Sequence, residues 1–354
     1  MAMDAPPMED PQSILIIDTA WLGDAVLTTS LVGSVKTHWP AAKLHVLVSP
    51  RGQAVLSGHP MIDNLWVFDK RGKDRGLFGL LRLASGLRQV GFNLILNAHP
   101  SFRSRILTCL TGAPERVGYS GFGANWCFTK HIAYDPAAEP DHIGRRNALL
   151  QLVTGPWPAE PPFVPVLPES AAWSADFLHR HQAMGKPLLG LIPGTAWETK
   201  RWPLESYSEL AAHWIQERDG AVLVFGGTAE RDMVTGLCQF NLQRIIPVIQ
   251  EPLPNVAALL HACTSVVGGD TGVMFLAAAV QKPQVLALHG CTQRNHPFIP
   301  PSRAITAGVP CCIDRAGHGA HRCKWQEGYS WCMSQIPVER VWNALEENAE
   351  MLKI

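Results

Sequence analysis

The stretch Val266–Ala279, which reads VVGGDTGVMFLAAA, constrains the fold of this chain more than any other. Its two valines predict the end of a buried strand, and Gly268 and Gly269 allow a tight turn. Asp270 and Thr271 are residue types that cap helix N-termini, and the small residues after them predict a closely packed helix. In such an arrangement, the unpaired backbone N–H groups at the helix start and the positive end of the helix dipole both face the turn between strand and helix. The stretch therefore predicts a site for a nucleotide diphosphate, with an ordinary strand-to-helix connection as the alternative.

Short apolar runs alternate with amphipathic helical segments along the chain, beginning with SILIID at Ser13–Asp18. This alternation is typical of an α/β fold in which helices cover both faces of a parallel sheet. A proline-rich segment, Ala133–Glu169, is the best candidate linker, and a new buried strand is expected at Pro187–Ile192. We therefore predict two doubly wound, Rossmann-like domains that face a central cleft, where the carboxyl ends of their strands bind ligands. The predicted boundaries are residues 1–12 for a disordered tail, 13–165 for the first domain with its proline-rich linker, and 166–354 for the second domain.

Composition excludes some classes of protein. The chain has 354 residues with 30 basic and 30 acidic side chains, which argues against nucleic-acid binding by bulk electrostatics. No basic segment followed by an apolar core begins the chain, and no apolar run is long enough to span a membrane, so we expect a cytoplasmic protein. Some aromatic and basic side chains leave peripheral contact with the inner face of the cytoplasmic membrane open, against a plain solvated surface. They are Trp66, Arg71, Lys73, Arg75 and Phe78.

The first strand is followed by the loop DTAWLGDAV, in which Asp24 lies at the expected start of a helix. This loop is not the G-x-G-x-x-G fingerprint, which disfavours a nicotinamide oxidoreductase. An aspartate in this position is either a helix cap or a general base at the cleft. The sequence alone leaves both roles open for Asp24.

The corresponding loop of the second half, PGTAWETKRWP at Pro193–Pro203, combines backbone and hydroxyl donors with a cation. Thr195 and Lys200 suit a diphosphate leaving group, whose negative charge grows as a glycosidic bond breaks. A solvated basic loop is the alternative. In the next loop, FGGTAE, Glu230 either accepts hydrogen bonds from ribose hydroxyls or only stabilises the N-terminus of its helix.

Two further patterns bear on metal binding, one for it and one against it. Four cysteines with two histidines between them could hold zinc or could be buried thiols, since no C-x-x-C pair occurs. They are Cys311, Cys312, Cys323 and Cys332, with His318 and His321.

No D-x-D pair occurs in the chain. If a sugar nucleotide is the substrate, we expect side chains and helix dipoles, rather than a metal, to stabilise its diphosphate.

Three of these stretches, in this order, resemble the lipopolysaccharide heptosyltransferases of glycosyltransferase family 9, which have the GT-B fold. They are GDAVLTTS at Gly23–Ser30, PGTAWETKRWP at Pro193–Pro203 and GGDTGVMFLAAA at Gly268–Ala279. The resemblance runs from about Ile14 to Val341. It implies inverting transfer of heptose from ADP-L-glycero-β-D-manno-heptose to the inner core of lipopolysaccharide, a lipid-linked glycan. Because the chain has no D-x-D pair, we also expect that no metal or other cofactor is required.

The resemblance assigns roles to individual residues. Asp24 corresponds to the proposed base, Lys200 to the lysine near the donor phosphates, Thr195, Asp270, Thr271 and Gly272 to the phosphate-binding turns, Glu230 to the residue near the ribose, and Arg103 and Ser104 to an acceptor loop. The family usually has a histidine where this chain has Phe275, and phenylalanine cannot donate a hydrogen bond to phosphate. A relative that uses another nucleotide sugar, or a nucleotide-sugar-binding protein without activity, is therefore kept as the alternative.

Overall fold

The computed structural model describes residues 10–135, 141–241, 243–289, 302–309, 326–327 and 329–351. The chain separates into two compact units, with the boundary between Pro165 and Val166. Each unit has its own six-stranded parallel sheet covered by helices. Within the described ranges, no helix combines the length and the apolar character needed to cross a membrane.

The described residues of the first unit form six strands and six helices. The strands are β1 (Ser13–Asp18), β2 (Lys43–Val48), β3 (Asn64–Val67), β4 (Leu94–Asn97), β5 (Glu115–Tyr119) and β6 (Lys130–Ile132). The helices are α1 (Leu22–His38), α2 (Pro50–Leu56), α3 (Gly76–Val90), α4 (Phe102–Thr111), α5 (Ala124–Cys127) and α6 (His142–Thr154). The strand order is β3-β2-β1-β4-β5-β6. Residues 14–17 of β1 are fully buried, as expected for a central strand covered on both faces.

The second unit repeats this plan. Its main sheet contains β7 (Leu188–Ile192), β8 (Ala221–Gly226), β9 (Ile245–Ile249), β10 (Ser265–Gly269), β11 (Gln284–His289) and β12 (Arg303–Thr306), and a short hairpin contains β13 (Gln326–Glu327) and β14 (Tyr329–Ser330). The helices are α7 (Pro168–Arg180), α8 (Leu204–Arg218), α9 (Arg231–Cys238), α10 (Leu253–Ala262), α11 (Gly272–Ala279), α12 (Trp331–Ser334) and α13 (Val338–Met351). Two single-turn 3₁₀ helices are Glu198–Lys200 and Thr228–Glu230. The strand order is β12-β11-β10-β7-β8-β9.

Each sheet has a point where the strand order reverses. In the first unit it lies between β1 and β4, and in the second between β7 and β10. Loops that leave two such strands diverge to opposite faces of the sheet and leave a crevice between them. The loops after β1, β4, β7 and β10 are therefore the natural places for ligand-binding residues.

The predicted α/β fold with two doubly wound parallel sheets is confirmed, and the boundaries of the apolar strands agree closely. The expected strand at Ser13–Asp18 is β1, and the strand expected at Pro187–Ile192 is β7, which begins one residue later. The sequence did not predict α4, α5, α7, α12, β5, β6, β12, β13 or β14. They are short or rich in polar residues, and the strands among them are defined by pairing with neighbours.

The proline-rich segment before the boundary lies along α1. The Ser30 hydroxyl donates to the backbone carbonyl of Glu160, and the Glu160 amide donates to Ser34 Oγ at 3.0 Å. The Phe163 amide donates to Thr29 Oγ1 at 2.9 Å. Three hydroxyls of one helix therefore fix this segment. Residues 10–12 of the expected tail also contact the first unit, since the Gln12 carbonyl accepts from the Lys43 amide, and residues 1–9 lie outside the described residues.

Candidate active site

Asp24 lies at the switch point of the first sheet, in the first turn of α1. Its Oδ2 accepts a hydrogen bond from the Trp21 amide at 3.3 Å, which satisfies one of the N–H groups at the helix start. Its Oδ1 accepts from Arg146 Nη2 at 2.9 Å. The side chain is 29% exposed, so solvent reaches a carboxylate that the protein holds at both oxygens.

Arg146, on α6, joins Asp24 to a second carboxylate. Its Nη2 also donates to Asp18 Oδ2 at 2.9 Å, and Thr28 Oγ1 donates to the same oxygen at 2.8 Å. Arg146 and Asp18 are both buried. Burial alone would lower the pKa of Arg146, but the carboxylates of Asp18 and Asp24 raise it, so the guanidinium stays charged. The sequence analysis missed Arg146, because its partners lie more than a hundred positions away and no local pattern marks it.

The loops after β3 and β4 add cations to this side of the first unit. Lys70 Nζ donates to the Thr19 carbonyl at 3.2 Å, and Thr19 Oγ1 lies 2.9 Å from His99 Nδ1. Burial lowers the pKa of Lys70, Asp18 raises it, and Arg103 lowers it again. Burial likewise lowers the pKa of His99. A small recess lies beside them, lined among others by Asp18, Asp24, His99, Tyr119, Arg145 and Arg146.

The two residues predicted to face the acceptor lie at the start of α4, after β4. Arg103 is exposed. Ser104 is fully buried, and its hydroxyl donates to the carbonyl of His99 at 2.7 Å or of Ser101 at 2.8 Å. Ser104 therefore shapes the loop that presents Arg103, and direct contact with a ligand would require it to leave these partners.

In the second unit, the switch point brings Lys200 and Asp270 together. Lys200 ends the 3₁₀ helix after β7, Asp270 follows β10, and Lys200 Nζ lies 2.5 Å from Asp270 Oδ2. Lys200 is 39% exposed and Asp270 is 12% exposed. The ammonium group is thus held in one position while still open to solvent, as an anion-binding cation needs to be.

Close packing of the two loops depends on Gly269. A Cβ atom at this position would lie 2.6 Å from Thr195 Cγ2 and 2.7 Å from the Lys200 carbonyl oxygen. Thr195 is buried, and its hydroxyl donates to the Trp197 carbonyl at 2.6 Å. Only glycine lets the loop that carries Lys200 approach β10 this closely.

The helix expected after the glycine turn is α11, and Thr271 is its N-cap. Thr271 Oγ1 accepts from the Val273 amide at 3.2 Å, and Gly272 is the first helical residue. The positive end of the α11 dipole therefore lies beside Lys200 and Asp270, at the carboxyl end of β10. Phe275 lies in the first turn of this helix and is half-buried.

Glu230 belongs to the same group of loops. Its Oε2 accepts from the Gly227 amide at 3.0 Å, and a Cβ at Gly194 would lie 2.4 Å from Glu230 Cγ. Glu230 is therefore packed against the loop after β7. The structure thus brings Thr195, Lys200, Glu230, Asp270, Thr271 and Gly272 to one side of the second sheet.

Most of the cysteine cluster lies outside the described residues. This holds for Cys311, Cys312, Cys323, His318 and His321. Cys332 is buried in the core of the second unit. In the part of the chain that the structure describes, no three His, Cys, Asp or Glu side chains are grouped so that they could hold a metal ion.

Comparison with known proteins identifies the family. The family model for glycosyltransferase family 9 (heptosyltransferase) matches residues 80–310. Lipooligosaccharide heptosyltransferase 2 of Haemophilus ducreyi is 26% identical, over 94% of this chain and 98% of that protein. Two solved structures share the fold at 22% identity. A family 9 glycosyltransferase of Veillonella parvula has a TM-score of 0.82 and covers 96% of this chain and 98% of its own.

The second is an ADP-heptose lipopolysaccharide heptosyltransferase II of Escherichia coli, with a TM-score of 0.76 over 97% of this chain and all of its own. Because the family model covers well over half of the sequence, this chain belongs to glycosyltransferase family 9, the heptosyltransferases.

Proposed function

We propose that this enzyme transfers heptose from ADP-L-glycero-β-D-manno-heptose to the inner core of lipopolysaccharide, with inversion and without a metal. One observation carries the proposal: a partly exposed carboxylate, Asp24, and a partly exposed cation, Lys200, lie at the switch points of two different sheets. The relatives named for lipooligosaccharide and ADP-heptose support this acceptor and this donor. The first unit binds the acceptor and the second binds the donor.

Asp24 acts as the general base. Arg146 occupies Oδ1, while Oδ2 has only a long contact with the Trp21 amide among the described residues, so Oδ2 is the oxygen that takes the proton. As the acceptor oxygen bonds to the anomeric carbon, the bond from that carbon to the diphosphate breaks on the opposite side. Proton removal of this kind contributes about 10²–10⁴-fold to the rate.

Lys200 and the N-terminus of α11 receive the departing ADP. The leaving diphosphate gains negative charge, and a fixed cation beside a helix N-terminus stabilises this charge without rearrangement. Asp270 orients the Lys200 ammonium. Thr195, Thr271 and Gly272 shape the phosphate-binding turns, and Glu230 accepts from the ribose hydroxyls.

Arg103 contacts an anionic group of the acceptor. It is exposed at the start of α4, and Ser104 fixes this loop through its backbone contacts. The heptose acceptor in lipopolysaccharide is a lipid-linked glycan, so the acceptor reaches the enzyme from a membrane.

Two variants test this division of labour. Asp24→Asn keeps the size of the side chain but removes its basicity, so kcat with ADP-heptose should fall by about 10²–10⁴-fold while the Kd for ADP stays near the wild-type value. Lys200→Ala should raise the Kd for ADP and lower kcat together. The measurements are steady-state kinetics of glycan transfer and calorimetric titration with ADP.

The matched control is Asp232→Asn, an exposed aspartate in the first turn of α9, which should leave both quantities unchanged. Thermal melts of all variants establish that they are folded. Near-normal turnover of a folded Asp24→Asn enzyme would exclude Asp24 as the base. Addition of EDTA to the same assay should not lower the rate.

A second candidate is the same reaction with another nucleotide sugar. It is favoured by Phe275, which lies in the first turn of α11 and has no donor for phosphate. A panel of ADP-, GDP- and UDP-sugars distinguishes the two. A nucleotide-sugar-binding protein without activity predicts saturable ADP binding and no product with any donor.

A further inference from the structure

The loop before α3 presents three cations to solvent. Arg71, Lys73 and Arg75 are all exposed, and within the described ranges no acidic side chain forms an ion pair with them. The two acidic residues of this loop are engaged elsewhere. The Asp69 Oδ1 accepts from the Gly72 amide at 2.9 Å, and Asp74 is buried.

Asp74 makes this loop a defined structure. Its Oδ2 accepts from the Asp69 amide at 2.9 Å, and its Oδ1 accepts from Arg82 Nη2 at 2.8 Å. Arg82 also donates to the Lys73 carbonyl at 2.8 Å. A Cβ at Gly79 would lie 2.4 Å from the Asp74 carbonyl carbon, so the loop packs directly on α3. The three cations are therefore held on a fixed backbone.

Helix α3 has a second apolar face beside these cations. Leu80, Leu83 and Leu87 are buried in the core of the first unit. In contrast, Leu77, Phe78 and Leu81 are exposed, with Phe78 at 90%. Exposed apolar side chains grouped next to unpaired cations are typical of a surface that binds another molecule or a membrane.

We propose that Arg71, Lys73, Arg75, Leu77, Phe78 and Leu81 form a basic-apolar surface that docks on an anionic lipid bilayer. The aromatic ring and the two leucines enter the boundary between headgroups and acyl chains, and the cations contact lipid phosphates. A second copy of the chain is a poorer partner, because a two-fold contact would place like charges against each other. The inference does not depend on which sugar is moved.

Sedimentation of the full chain with vesicles tests the inference. The wild type should bind vesicles rich in phosphatidylglycerol and not vesicles of phosphatidylcholine alone. Because each basic residue near an anionic surface contributes roughly fivefold to binding, the double variant Arg71→Glu/Lys73→Glu should lower the partition coefficient by at least about 20-fold. Phe78→Ser should lower it by about tenfold through loss of the inserted ring.

Matched controls lie in the second unit. Phe240→Ser removes a ring that is 71% exposed, and Lys282→Glu/Arg340→Glu reverses two exposed charges. Both controls should bind vesicles like the wild type. Transfer to a short glycan acceptor without acyl chains should be unaffected in all these variants, which separates loss of docking from loss of the proposed reaction.

Three results would overturn the inference. The first is failure of the wild type to bind anionic vesicles. The second is binding by the surface variants that equals binding by the wild type. The third is a change of oligomeric state in Phe78→Ser while its vesicle binding stays at the wild-type level. The last result would identify a second copy of the chain as the partner.

Discussion

At the scale of single residues, Asp24 combines a helix-start contact with a long-range contact that its sequence context does not show. Its Oδ2 accepts the Trp21 amide as a helix-start residue does, and its Oδ1 binds the buried Arg146. The local pattern of strand, loop and helix start was enough to select Asp24. It could not reveal Arg146, which becomes a neighbour only when α6 packs on α1.

His59 is a buried histidine, and both of its ring nitrogens have hydrogen-bond partners. Its Nδ1 accepts from the Met61 amide at 3.2 Å, so its Nε2 is the protonated nitrogen and donates to the Phe163 carbonyl at 3.1 Å. A second proton on Nδ1 would oppose an N–H donor. Burial lowers the pKa of His59 from 6.5, although the bond to Phe163 raises it.

We therefore expect acid to destabilise the protein through His59. Because its folded-state pKa is lowered, this contribution to the free energy of unfolding is present above pH 6.5 and is lost as pH falls from 6.5 through the folded-state pKa. In His59→Gln the side-chain amide can donate to the Phe163 carbonyl without titrating, so urea denaturation should show a smaller loss between neutral and acidic pH. His179→Gln, at an exposed position on α7, is the control and should follow the wild type. An unchanged pH profile in His59→Gln would contradict this account.

At the scale of elements, the β7 and β10 loops fit together only because Gly269 lacks a side chain. Gly269→Ala places a methyl group against Thr195 and the Lys200 backbone. We expect a loss of about 1–3 kcal/mol in the free energy of unfolding, as for other overpacked sites, and a raised Kd for ADP because the Lys200 loop is displaced. Denaturant melts and ADP titration measure the two effects.

Gly236→Ala is the matched control for this substitution. Gly236 lies inside α9, and a Cβ there would meet no atom within 4 Å. Alanine at this position should be neutral or stabilising by up to about 1 kcal/mol. If Gly269→Ala and Gly236→Ala have the same free energy of unfolding and the same Kd for ADP, close packing at Gly269 does not hold the Lys200 loop in place.

The elements that could be predicted from sequence are those with a strong local signal. β1 and β7 are apolar runs buried on both faces, and such runs have few alternative structures. β5 reads ERVGY and is a strand because it pairs with β4 and β6, which no local pattern records. α7 begins with Pro168 at its first turn, a favourable position that is easily mistaken for the end of a linker.

At the scale of the whole molecule, two units use the same strand arrangement, and each places its candidate residues at the reversal of strand order. This rule explains why motifs far apart in sequence could be predicted to meet. Lys200 and Asp270 are seventy positions apart and form an ion pair because β7 and β10 are neighbours. The same rule could not predict the contact between Asp24 and Arg146, because Arg146 lies on α6, a helix outside the sheet.

Binding of ADP should therefore be confined mainly to one unit. Hydrogen exchange with saturating ADP should be slowed most in residues 193–203, 226–231 and 269–273, since these contain the turns that we propose for the donor. Residues 97–104, in the first unit, should change less. Protection that is strongest in the first unit would reverse the proposed roles of the two units.

The attachment of residues 156–165 to α1 also determines where the chain can be divided. Ending a fragment before this segment would remove three hydrogen bonds between α1 hydroxyls and the segment and leave His59 without the Phe163 carbonyl. Residues 156–165, whose prolines suggest a spacer in the sequence, are attached in the folded protein to the first unit, and a fragment of that unit should retain them.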